Sequence, residues 1–159
     1  MATTQPLRGA ATALTFAAGD STLASGAYAV SSSVNTTTLG SAGIAADDAV
    51  VTVSAGIAAT AVANDLVKVF VISSVDGTTF SDAPADGSTD TTHDTNMQLL
   101  DVMNVPSAAA QTLVMPLTAI AALFSGELPA YLKIVVYNGS GAAFTSLAGT
   151  IVGLNESVA

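Results

Sequence analysis

Two stretches decide the fold: Leu66 to Ile72, LVKVFVI, and Tyr131 to Tyr137, YLKIVVY. Each is seven residues of mainly β-branched or aromatic side chains and is apolar on both faces except for one lysine, Lys68 or Lys133. That length and composition favour a central strand buried on both sides over a helical turn. In the second stretch the period of two sends Leu132, Ile134 and Val136 inward and Tyr131, Lys133, Val135 and Tyr137 to the opposite face. Asn138-Gly139 follows it and reads as a turn pair.

Working outward, Ala27 to Val34 alternates with Tyr28, Val30 and Val34 on one face, and Ala49 to Ala55 does the same with Val51 and Val53. Weaker strand signals lie at Ala11 to Phe16, Ile57 to Ala63, Met97 to Val102, Thr112 to Met115 and Leu147 to Leu154. Gly, Ser, Asn and Asp clusters separate them, the spacing of a sandwich or barrel. One segment differs. Leu117, Ile120, Ala121 and Phe124 recur at helical spacing, with Thr118 as N-cap and Gly126 as C-cap, so a short helix is expected near 118–125. The expectation is an all-β, single, jelly-roll-like β-sandwich over residues 21–159, preceded by an N-terminal arm over residues 1–20. An immunoglobulin-like sandwich is the competing topology.

Composition narrows function. The chain has 159 residues, 9% charged and 50% hydrophobic, with three basic and twelve acidic residues and a net charge of -9. A phosphate backbone has nothing to bind to on such a surface, which excludes nucleic acid as a partner. No apolar run reaches the roughly 18 residues of a spanning helix, so no membrane partner is expected. Thr12 and Thr15 interrupt the one stretch that resembles a signal peptide. There is no cysteine, which removes disulfides, thiolate metal sites and a thiol nucleophile. A surface built from Ser, Thr, Ala and Gly suits close packing against other proteins.

Groups for catalysis are few: one histidine, His93, in a loop-like segment, and two glutamates, Glu127 and Glu156. No G-x-S-x-G elbow accompanies His93, and carboxylate pairs among twelve acids carry no specificity, so no catalytic residues are expected. Asp82, Asp86, Asp90 and Asp94 recur every four residues in the polar stretch from Ser73 to Asn96. They read either as a calcium site or, more economically, as a solvated acidic loop; the order is not that of an EF-hand. Apart from calcium, no cofactor is expected. Leu7, Leu14 and Phe16 in the arm, with Tyr131 and Tyr137, are the candidate residues for a subunit or capsid interface.

The turn Ser74-x-Asp76-Gly77-x-x-Phe80 and the later GELPAYLKIVVYNGSGAAF, Gly126 to Phe144, carry a resemblance. Together with Pro129, Lys133, Val135, Asn138 and Gly141 they are similar to small capsid decoration, or cement, proteins of tailed bacteriophages. The similarity covers about half the chain, and the first 65 residues stand outside it. It implies a non-enzymatic β-sandwich on the capsid exterior of a virion, commonly a homotrimer, whose partner is the major capsid protein. A tail or fibre component and a carbohydrate-binding adhesin module are the alternatives.

Overall fold

The computed structural model describes residues 5–41, 45–81 and 83–157, the first three and last two of these by their backbone alone. Eleven strands form two antiparallel sheets. In the first, β1 (Gln5–Arg8), β11 (Phe144–Ser157), β5 (Asp48–Ile57) and β8 (Gln111–Val114) are neighbours in that order; β2 (Thr12–Ala13) also pairs with β11, and β9 (Thr118–Ala119) with β5. The second runs β3 (Tyr28–Val30), β10 (Tyr131–Gly139), β6 (Leu66–Ser74), β7 (Gln98–Asn104), with β4 (Val34–Asn35) also on β10.

Taking β1 with β2, β3 with β4 and β8 with β9 as single interrupted strands leaves eight. Their order is then first, eighth, third, sixth in one sheet and second, seventh, fourth, fifth in the other. First pairs with eighth, second with seventh, third with sixth and fourth with fifth, which is a long hairpin wrapped around a core: the jelly roll. The two stretches that set the fold lie side by side in the second sheet, paired from Tyr131↔Ser74 to Gly139↔Leu66. The segment expected as an arm supplies β1 and β2, which line the last strand in register from Gln5↔Ser157 to Arg8↔Leu154.

The main core fills the space between the sheets, with Val51, Val53, Val67, Val69, Ile134 and Ile151 fully buried. A second cluster, Tyr28, Phe70, Ile72, Met97 and Val135, sits on the outer side of the second sheet. Both faces of β6 and β10 are therefore covered, as their unbroken apolar runs require.

Four local expectations change. The short helix near 118–125 becomes β9 followed by a single 3-10 turn, Ala121–Phe124. Pairing of Thr118 with Val51, and the bonds Ile120 N to Ala49 O (2.9 Å) and Ala121 N to Asp48 Oδ1 (2.8 Å), use amides that a helix would need. Thr118 is accordingly no N-cap; its hydroxyl donates to Pro116 O at 3.1 Å. The turn closes through Ser125 and Gly126, both at positive φ (62° and 91°).

Asn138-Gly139 continues β10 and is not a turn; the chain reverses at Ser140-Gly141, where Gly141 has φ 78°. Ile57 to Ala63 is not a strand beyond Ile57. Finally, Ala27 to Val34 breaks at Ser31. The Ser31 amide donates to Ile134 O and its hydroxyl accepts from Ile134 N, both at 2.9 Å, so a side chain replaces one rung of the ladder. The face flips across the break: Tyr28 and Val30 join the outer cluster while Val34 enters the main core.

Candidate functional site

The polar stretch after β6 is not a free tip. It crosses the outer side of the second sheet and forms the roof of the outer cluster, in which Phe80 and Ala83 pack beside Val30 and Tyr137. Its first turn is built on Asp76. That carboxylate accepts the amides of Thr78 and Thr79, each at 2.8 Å, and the Ser74 hydroxyl at 2.8 Å. Those donors, the Thr79 amide first, hold the Asp76 carboxyl far below the usual carboxylate range. Gly77 at φ 74° lets the chain reverse, and the Tyr131 ring lies so close that an added Cβ would stand 2.9 Å from it. Tyr131 thus packs over this turn.

Farther along, Gly87 N donates to Tyr28 O (2.7 Å) and Tyr28 N to Ser88 O (2.9 Å), so residues 86–88 lie along β3 as a further partial strand. This blunts an otherwise open sheet edge. Asp86 Oδ1 accepts from Val30 N at 2.8 Å. Asp90 caps the 3-10 turn Thr91–Asn96 by accepting from Thr92 N (2.9 Å), which pulls its carboxyl below its ordinary range. Asp94 accepts the Tyr28 hydroxyl and faces Lys68 Nζ at 3.3 Å. Burial first, and then the bond to Asp94, push the Tyr28 phenol well above its ordinary range. Tyr137 completes the group, its ring 4.8 Å from that of Tyr28 and 5.4 Å from Lys68 Nζ.

The four aspartates proposed for calcium are therefore not gathered. Asp86, Asp90 and Asp94 serve a strand amide, a helix cap and a buried phenol, and Asp82 lies outside the described residues. Among the described residues no three His, Asp or Glu side chains are grouped to hold a metal ion. His93 has its Nε2 3.7 Å from an Asp90 oxygen, an ion pair only when the ring is protonated.

The interface candidates are largely spent inside the protomer. Leu14 is buried in the main core at 6% exposure, and its place there corrects the expectation that it meets a partner. Phe16 is half-buried against the same core, and Tyr131 and Tyr137 are half-buried on the outer side of the second sheet. Leu7 pairs with Asn155 through its backbone; its side chain lies outside the described residues.

What remains uncovered is the outer side of the first sheet. Thr150 lies opposite Thr52, and Ser54 sits between Ala148 and Val114, in consecutive rungs of β11, β5 and β8. A shallow trough of about 250 Å³ runs among these side chains. Val114 is 65% exposed, and nearby Leu117 57%. None of these residues carries a charge. Sequence reasoning passed over Val114 by favouring aromatic anchors, yet the alternation of Thr112 to Met115 already directs it away from the core.

No protein-family model matches the chain, and no curated protein matches it.

Proposed function

We propose that the protein is a non-enzymatic structural component of a phage virion, a capsid decoration or cement protein that sits on the head exterior and stabilises neighbouring shell subunits. The observation that carries this reading is the asymmetry of the sandwich. One outer side is roofed by its own polar stretch, while the other presents Thr, Ser, Ala and Val without charge. A bare, neutral sheet face costs little to desolvate, because no ion must be stripped of water when a partner covers it. Its burial contributes roughly 25 cal/mol per Å² of apolar area. Many weak copies on one shell add through avidity.

The jelly roll agrees with this reading without proving it, since the same fold serves capsid proteins and lectins. The resemblance of Ser74 to Phe80 and of Gly126 to Phe144 to decoration proteins supplies the choice between them. In this reading the major capsid protein is the partner, the protein assembles as a homotrimer, and no nucleic acid, membrane or cofactor takes part. Light scattering on the purified protein tests the assembly: a trimer is expected, and a monomer at all concentrations contradicts it. Binding to a glycan array, with indifference to capsids, shifts the assignment to an adhesin.

A further inference from the structure

Two carboxyl groups from distant parts of the chain meet where the polar stretch touches the N-terminal segment. Asp20 lies in the 3-10 turn Ala18–Thr22, is only 3% exposed, and accepts from Ala17 N at 2.9 Å. Asp86 reaches the same place from the stretch over the second sheet, accepting from Val30 N. The two side chains share a hydrogen bond. An open groove of about 440 Å³ marks the junction, with Thr15, Phe16 and Ala17 on one wall and Pro84, Asp86 and Lys133 on the other.

Two ionised carboxylates have no proton to share and repel each other; a bond between them requires one to be protonated. Asp20 is the group that holds it. Burial first, and then the Asp86 charge, keep its carboxyl above the usual carboxylate range, against the pull of the Ala17 amide; the bond to Asp86 adds to the rise. We propose that Asp20 and Asp86 form a proton-operated latch: protonated Asp20 donates to Asp86 and fastens the stretch 83–96 over the second sheet, and ionised Asp20 repels Asp86 and loosens it.

The charged groups at this junction are Asp86 from the stretch and Lys133 from β10 on the groove wall, its Nζ 4.6 Å over the Phe80 ring. Asp90, His93 and Asp94 fasten the far end, near Tyr28 and Lys68. The sign follows from Asp20 alone. Its folded pKa is raised, so the folded state holds more protons. The added stability is complete below the unfolded value near 3.8 and is lost as pH rises through the folded value. Loosening releases the rungs between Tyr28 and residues 87 and 88, and with them the cover of the apolar outer cluster.

Hydrogen exchange on the full chain, corrected for the intrinsic effect of pH, tests this. Residues 83–96 of the wild type should exchange about tenfold more slowly at mildly acid than at neutral pH, while β5 and β6 keep one rate. Asp20→Asn still accepts from Ala17 N and donates an amide proton to Asp86, so it should exchange slowly at both pH values. Asp86→Asn places the donor on the other partner and should do the same, which keeps the test open if either variant folds poorly. Equal exchange of the wild-type stretch at both pH values, slowing of β5 and β6 in parallel, or wild-type behaviour of the variants overturns the latch.

Discussion

Asn138 is fully buried, and its amide makes four hydrogen bonds: it donates to Leu23 O and Ala142 O and accepts from the Ser140 amide and hydroxyl. It ties the entry to β3, the end of β10 and the entry to β11 at one point. Asn138→Ala strands buried carbonyls and should cost about 2–4 kcal/mol in urea unfolding. Gly153 is a second such point, for steric reasons. A Cβ there would stand 2.3 Å from Leu39 O, and one at Gly9 2.0 Å from the same oxygen, so two glycines admit the loop that crosses β11. Gly153→Ala should cost about 2 kcal/mol or more. Gly19→Ala, with open space around it, should stay within about 0.5 kcal/mol of the wild type. Both outcomes are read from the same denaturation curves.

Among the elements, the turn after β6 has a definite dependence on pH. Asp76 is held below its ordinary pKa, so its contribution is present above the unfolded value near 3.8 and is lost as pH falls through the folded value. Asp76→Asn should lower the melting temperature at neutral pH, and the gap from wild type should close in strong acid; a gap independent of pH contradicts the role given to the carboxylate. The long strands could be read from sequence because burial imposes a local pattern on them: β5, β6, β10 and β11 all fall where alternation or unbroken Val and Ile placed them. The helix near 118–125 failed because pairing with β5 took its amides, a contact some seventy residues distant in sequence. Asn138-Gly139 misled for the opposite reason, since a residue type common in turns is here a buried hydrogen-bonding hub. The roof over the second sheet was invisible because its bonds reach from Asp86 and Asp94 to Val30, Tyr28 and Lys68, partners that no local window contains. For the same reason the aromatic interface candidates could not be recognised as internal.

At the scale of the molecule, the charges and the two sheets divide the surface. Lys68 and Lys133 lie beneath or beside the roof, and the described aspartates of that stretch bond back to the protein. The first sheet keeps a neutral outer side between the rungs Thr52↔Thr150 and Ser54↔Val114. The low charge of the sequence therefore has a location. If that side is the contact with a capsid, a charge placed on it must block attachment while leaving the fold intact, because Val114 is already exposed to water. The most direct measurement is co-sedimentation with capsids stripped of this protein, using the wild type and Val114→Glu at matched folding by circular dichroism. The wild type should pellet with the shells, and Val114→Glu should lose about tenfold or more in affinity. Failure of the wild type to pellet, or equal pelleting of the two proteins, would contradict the assignment of this face.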